Sequence, residues 1–342
     1  MPKTAGLSYM RMKATMNNYL QNSLFPTKKE KDFLYVYVTA CHHKLNASFS
    51  IEMDFILHLS HLSFRITGIS AKEVPANTLL FCDKGKEGDI SFTYNFHFCD
   101  TVPTADASWT ASYQRPGIMI WTKDMLESRL LRVSGPSDTY AFYEETSPNH
   151  ANIYFLNTWR DQLNIDTIFN SCLALERRMS TIESYILHCS YIVHDDHAIL
   201  FSGPSGIGKS THAELWQQYV DDTRIINGDR CLITHHADDT YMANGWPVCG
   251  SSGICHDESH PLSAIVFIEQ TPDNQVIEET TAQHFRRLYA QLTINRWNQE
   301  ATNKAINWMQ ALIGKVNLVT YGCNMLPNAP FPLLEHLSNL KP

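Results

Sequence analysis

The sequence predicts an α/β core with a mixed sheet built around a glycine-rich loop, preceded by a β-rich α+β domain. Three observations predict it. The stretch Gly203-Pro204-Ser205-Gly206-Ile207-Gly208-Lys209-Ser210-Thr211 matches G-x-x-x-x-G-K-[ST] without a gap. It stands between an apolar run, Ala198–Phe201, and residues Ala213, Leu215, Trp216, Tyr219 and Val220, which fall largely on one helical face. Strand, glycine loop and helix in that order define a P-loop and put a helix N-terminus at an anion site. Further upstream, Ile90, Phe92, Tyr94, Phe96 and Phe98 alternate with Ser91, Thr93, Asn95 and His97, a period of two. After residue 181, hairpins interleave with βα units, which favours a mixed sheet over a fully parallel one.

A chain of 342 residues with 44% hydrophobic residues suits two domains with full cores. We divide it into a tail over 1–29, a β-rich domain over 30–157, a helical linker over 158–180 and the P-loop domain over 181–342. The first 29 residues hold Lys3, Arg11, Lys13, Lys28 and Lys29 and no acid. They read as a tail or first helix, with a transit peptide as the alternative. The net charge of −8 gives no general attraction to nucleic acid or to an anionic membrane. No apolar run approaches transmembrane length. The nine cysteines are scattered, odd in number and without C-x-x-C, the usage of a reducing compartment, so a cytoplasmic protein is expected.

In order, strands fit Phe33–Ala40, the alternations at Phe55, Leu57 and Leu59 and at Leu62, Phe64 and Ile66, and the run Ile90–Phe98. Others fit Ile118–Thr122, Leu130–Val133, Tyr140–Glu144 and Ile153–Leu156. Together they predict an antiparallel sheet with a few helices, and no catalytic motif. Ile165, Ile168, Phe169, Cys172 and Met179 then predict a helix. Tyr185–Val193 and Ala198–Ser202 form a hairpin that delivers the chain into the P-loop. Thr223–Asn227 is a strand, Cys231–Thr234 and Thr240–Asn244 a hairpin, and Gly245–Gly253 a loop. Leu262–Glu269 is a buried strand, Thr281–Leu292 and Asn298–Gly314 are helices, Val316–Tyr321 is a last strand and Pro330–Leu340 a closing helix.

The loop's chemistry follows from its residues. Backbone N–H groups wrap a phosphate chain closely only where side chains are absent and positive φ is tolerated. Lys209 reaches the phosphates as a point charge, and the Ser210 hydroxyl ligates Mg²⁺. Phosphoryl transfer also needs a carboxylate opposite the loop. Asp229, 20 residues after Lys209 and just past a short strand, is the candidate; a turn aspartate after Gly228 is the plainer alternative. Arg286, Arg287 and Arg296 offer a charge clamp, with an exposed helix face as the alternative for Arg286 and Arg287. Glu258 is a second metal ligand or a loop glutamate. Cys249, Cys255, His256 and His260 have a spacing that matches no standard zinc finger, and Cys41-His42-His43 is no better.

His188, its hairpin, the stretch Gly203–Ser210 and Gly228-Asp229-Arg230 together resemble the catalytic domain of the HPr kinase/phosphorylase family, which shares its fold with ATP-dependent phosphoenolpyruvate carboxykinase. The Gly245–Gly253 loop and the strand Ala264–Gln270 resemble a bacterial subgroup of HPr-kinase-related proteins. The resemblance covers about residues 180–325. It implies ATP and Mg²⁺ as cofactors, with Asp229, His188 and Lys209 as the catalytic set. Gly203 to Thr211 would hold nucleotide, and Ser210 and Asp229 the metal. His188 occupies the place of a histidine close to the transferred phosphate; a hydrogen-bonded strand histidine is the alternative. The family has two adjacent aspartates where this chain has Gly228 and Asp229. The arginine-glycine signature of the phosphorylase side is not found, which puts phosphorolysis, and HPr as acceptor, in question.

The sequence therefore predicts a kinase acting on a serine or threonine hydroxyl of a peptide or protein, the acceptor class being implied by the resemblance. A small-molecule kinase and a nucleotide-binding module without turnover are the alternatives. Neither nucleic acid nor membrane is an expected partner, and the oligomeric state is left open, a homo-oligomer included.

Overall fold

Alternating apolar residues build the first half of the described chain. The computed structural model describes residues 53–82 and 89–340; the tail, the strand expected at Phe33–Ala40 and Cys41-His42-His43 lie outside them. The described residues belong to one compact unit, Glu52–Pro342. Its first sheet comprises β1 (Met53–Leu59), β2 (Leu62–Ile69), β3 (Phe92–Cys99), β4 (Thr110–Arg115), β5 (Ile118–Lys123), β6 (Leu126–Arg132), β7 (Thr139–Ser147) and β8 (His150–Leu156), with a short helix α1 (Ala76–Leu79) between β2 and β3. The strand order is β1-β2-β3-β8-β7-β6-β5-β4. As the period of two predicts, Phe92, Tyr94 and Phe96 are buried while His97 is exposed.

The sheet is mixed, not antiparallel as expected. β3 runs parallel to both β2 and β8. Side-chain alternation reports which face is buried; the direction of a neighbour depends on the path of the chain. Here β3 is reached from β2 by a long crossover through α1, and β4 to β7 make an excursion before β8 returns beside β3. The single helix expected in the linker is also broken. A 3₁₀ turn at Asn157–Gln162 precedes α2 (Asp166–Leu173) and α3 (Leu175–Thr181), and Ala174 between the two helices takes φ +47°. That turn lets Leu173, Ala174 and Leu175 all enter the core.

The second half is one sheet of eight strands: β9 (Tyr185–His194), β10 (His197–Ser202), β11 (Thr223–Asn227), β12 (Arg230–His235), β13 (Tyr241–Asn244), β14 (Ser259–Gln270), β15 (Gln275–Ile277) and β16 (Asn317–Cys323). β9 and β14 are long enough to bend between partners. Their first residues pair with β12 and β13, and their later residues flank β10, antiparallel to β9 and parallel to β14. β16 continues parallel to β14. The sheet is mixed, as the interleaved hairpins predict. α4 (Lys209–Tyr219) and α7 (Pro330–Ser338) cover one face through Trp216, Ala213 and Leu333. α5 (Thr281–Gln291) and α6 (Gln299–Ile313) cover the other through Leu288, Trp308 and Leu312. Among the described residues no helix is long and apolar enough to cross a membrane.

The two sheets share a core. Side chains from the first sheet, α2 and α3 pack in one cluster with Ile186, Leu232, Trp246, Val248, Cys249 and Cys255. A buried ion network joins them again. Glu127 and Arg129 on β6 bond to each other, Arg177 and Arg178 of α3 reach Glu145 on β7, and Trp297, between α5 and α6, donates to Glu127 at 2.9 Å. Paired charges satisfied in this way hold a geometry; removing one partner would leave the other buried and uncompensated.

Behind the glycine loop, His212 is fully buried against Phe201 and Tyr321 and accepts a hydrogen bond from Trp216 Nε1 at 3.1 Å. Burial lowers its pKa to about 3. The folded value lies below the unfolded value near 6.5, so the stabilising share is full above that value and is lost as the pH falls toward about 3. We predict that His212→Phe removes one proton from the pH dependence of unfolding in this window, flattening the slope by about 1.4 kcal/mol per pH unit. Denaturant unfolding at pH 4 to 7 tests this; an unchanged slope contradicts it.

Candidate active site

The loop between β10 and α4 turns on three glycines of positive φ. Gly203, Gly206 and Gly208 take φ of +147°, +80° and +106°, a region that side chains disfavour. A Cβ at Gly206 would meet nothing within 4 Å, so the loop is open there. Gly208 caps α4, and Lys209 and Ser210 form its first turn. Lys209 is buried and its Nζ donates to the carbonyls of Gly203 and Pro204 at 3.0 and 3.1 Å. Burial lowers its pKa, opposed by the charge of Asp229. Pro204, Ser205 and Thr211 are exposed, and Ile207 packs against the α4 side of the sheet.

Strand register brings the other candidates to this loop. His188 on β9 pairs directly with Arg230 on β12, which sets Asp229 beside it. His188 Nε2 lies 3.5 Å from Asp229 Oδ1, and its Nδ1 lies 3.2 Å from Gln291 Oε1 at the end of α5. Ser202, the last residue before the loop, donates from its hydroxyl to the His188 carbonyl at 2.8 Å. Ser210 Oγ reaches the Gly228 carbonyl at 3.4 Å, where Ser190 Oγ also donates at 3.1 Å. The metal candidates Ser210 and Asp229 therefore flank one turn. The His188 hydrogen bond, with Arg230 and Lys209 nearby, holds the Asp229 carboxyl below its usual range despite partial burial. Asp229 is thus ionised at neutral pH, as a cation ligand must be.

Three groups that sequence reasoning passed over shape this site. Buried Asn227 accepts from the backbone N–H of Asp229 and of Arg230, both at 2.9 Å, and donates to the carbonyls of Trp246 and Val248 at 2.8 and 3.2 Å. The signal was a polar residue closing an apolar strand. Gly250, φ +60°, lies so near Asp229 that a Cβ there would come within 3.1 Å of its Cγ. Ser252, donating to the Cys249 carbonyl at 2.7 Å, accounts for Gly228. A Cβ at position 228 would fall 2.1 Å from Ser252 Oγ, so the turn at Gly250–Ser252 occupies the space a second aspartate would need.

Other candidates are placed elsewhere. Arg287 is bound by Glu279 and Glu269, Arg286 donates to the Ala282 carbonyl, and Arg296 lies over the Tyr289 ring. Their side chains are satisfied locally and form no clamp with the loop. The Glu258 carboxylate is held by Arg224 and by His260. Cys249 and Cys255 are buried, His256 is exposed, and no three histidine, cysteine or acidic side chains among the described residues form a metal-holding group.

The family described as SynChlorMet cassette protein ScmC matches residues 154–335, just over half of the chain. Among solved structures, the HPr(Ser) kinase/phosphatase from Coxiella burnetii is similar at 14% identity, over 45% of this chain and 87% of that chain, with a TM-score of 0.26. No curated protein sequence matches.

Asn227→Ala strips the turn of its clamp and leaves buried backbone donors and acceptors unpaired. We predict a loss of about 2–4 kcal/mol in unfolding free energy. Chemical denaturation measures it, and a loss within about 0.5 kcal/mol would mean the turn stands without the amide.

Proposed function

We propose, from the premise that this chain belongs to the family of the SynChlorMet cassette protein ScmC, that it is an ATP- and Mg²⁺-dependent kinase transferring the γ-phosphoryl group to a serine or threonine hydroxyl of a peptide or protein. One observation carries the reading: a carboxylate and an imidazole 3.5 Å apart stand at the mouth of a strand, glycine loop and helix of phosphate-binding form. The open cradle at Gly206 and the exposed Ser210 hydroxyl beside the Asp229 turn fit the group.

The roles follow from the residues. Backbone N–H groups from Gly206 to Ser210 take phosphate oxygens, and Lys209 exchanges its two carbonyl partners for them. Ser210 and Asp229 would hold Mg²⁺, which when bound neutralises charge on the phosphate oxygens. His188 Nε2 orients the Asp229 carboxylate while Gln291 fixes the other ring nitrogen, and the Asp229 carboxylate accepts the hydroxyl proton. An open cleft of about 510 Å³, lined by Gln270, Thr271, Pro272, Cys323, Asn324 and Met325, adjoins the loop and is our site for the nucleoside. Gln270 Nε2 donates to the Ile207 carbonyl at 3.2 Å, and Met325 abuts Gly208. The peptide acceptor is supported by β4, an edge strand with mostly exposed side chains. Its Tyr113 meets Trp297 at 5.1 Å, and edge strands accept extended peptides.

Lys209→Ala should abolish ATP binding in calorimetry and leave a cooperative thermal unfolding, its midpoint lowered only by the loss of the two carbonyl hydrogen bonds. Asp229→Asn should keep nucleotide binding and slow Mg²⁺-dependent ATP consumption at least about a hundredfold, the scale of one strong electrostatic or proton-transfer contribution. Unchanged ATP affinity in the lysine variant overturns the phosphate site. Normal turnover in the asparagine variant makes Asp229 a turn residue, and ATP binding by the wild type without turnover, alone or with serine- and threonine-containing peptides, would leave a regulatory module.

A further inference from the structure

The partly or fully buried arginines of the first sheet and its flanking helices are paired with carboxylates, with one exception. Arg129 pairs with Glu127 and Glu176, Arg160 with Glu73, and Arg177 and Arg178 with Glu145. Arg132, the last residue of β6, has no carboxylate partner among the described residues. Its Nε is buried and makes no hydrogen bond. A buried N–H left unpaired costs as much as a lost hydrogen bond, so such a donor calls for a partner.

The same side chain lines a second cleft, of about 430 Å³, at the end of β6 and the start of β7. Val133, Tyr140, Trp159, Ile165 and Ile168 make its apolar walls. Val133 and Ile165 are 56% and 45% exposed, large values for aliphatic side chains facing one hollow. The Tyr140 and Trp159 rings meet at 5.8 Å, tilted by 44° to each other. Gln162, Thr167 and Ser171 supply neutral polar groups, and no acidic residue lines the cleft. Arg132 is therefore the one charged residue lining an apolar hollow that no acidic residue lines.

We propose that this cleft binds an apolar carboxylate, with the carboxylate on the Arg132 guanidinium and the side group against Trp159, Val133 and Ile165. A guanidinium matches a carboxylate in charge and in planar geometry. A phosphate dianion would need a second cation, and Arg132 is the single cation among the lining residues. Two sources share this chemistry: the C-terminal residue of a peptide, and a free acid. The site is independent of the glycine loop and of the kinase reading.

The test is calorimetric titration of the full chain with N-acetyl-leucine and with its amide. The acid should bind, and the amide at least about tenfold more weakly, the scale of one charge-assisted hydrogen-bonded pair. Arg132→Gln should weaken the acid at least about tenfold while the amide is unaffected. Exposed Ile165→Ala, which leaves the fold's core intact, should weaken the acid and spare ATP binding. A tripeptide, acetyl-Gly-Gly-Leu, binding more tightly than N-acetyl-leucine identifies a peptide C-terminus; equal binding identifies a free acid. Equal binding of acid and amide, unchanged acid binding in Arg132→Gln, or binding of inorganic phosphate with none of the acid would overturn the proposal.

Discussion

Asn227 is fully buried at the end of β11, and its side-chain amide makes four hydrogen bonds that close the turn carrying Asp229. Two of them orient the backbone of Asp229 and Arg230, and two seize the loop that begins at Trp246. The candidate site depends on that arrangement. With the turn closed, the register of Arg230 against His188 puts the carboxylate beside the imidazole. The Gly228 carbonyl then meets the hydroxyls of Ser190 and Ser210. The glycine loop is built by its own residues, but its partner across the mouth is placed by one amide.

The loop that Asn227 holds is also the place where the two sheets meet. Trp246, Val248, Cys249 and Cys255 belong to the same buried cluster as Phe96, Ile153 and Phe169. From within that loop, Gly250 backs onto Asp229 and Ser252 fills the space beside Gly228. The chain thus has one aspartate at this turn for a packing reason, and the backbone at Gly228, which has no positive φ, does not require glycine. The first sheet contributes no side chain to the candidate chemistry, yet its core supports the wall of the site.

What could be read from the sequence is what neighbouring residues encode together. The strand, the glycine loop and the helix were legible because the apolar run, the three glycines, Lys209 and Ser210 are consecutive. The buried face of β3 was legible from its alternation, but its parallel neighbours were not, because direction is set by crossovers of twenty residues and more. The break at Ala174 carries no glycine, and its left-handed backbone costs about 1–2 kcal/mol that burial of Leu173 and Leu175 offsets. The clamp of Asn227 was hidden because its carbonyl partners lie 19 and 21 residues away. Arg287 looked free on its helix and is claimed by Glu269, 18 residues earlier.

In the proposed kinase, phosphates sit on the glycine loop and Asp229 and Ser210 share the metal. A crystal structure of the full chain with a non-hydrolysable ATP analogue and Mg²⁺ tests it most directly. Phosphate oxygens are expected on the N–H groups from Gly206 to Ser210, with Lys209 Nζ moved from the Gly203 and Pro204 carbonyls onto phosphate and the metal between Ser210 Oγ and the Asp229 carboxylate, directly or through one water. Phosphates bound elsewhere, or a metal on the loop with Asp229 still paired only to His188 and Arg230, would contradict it.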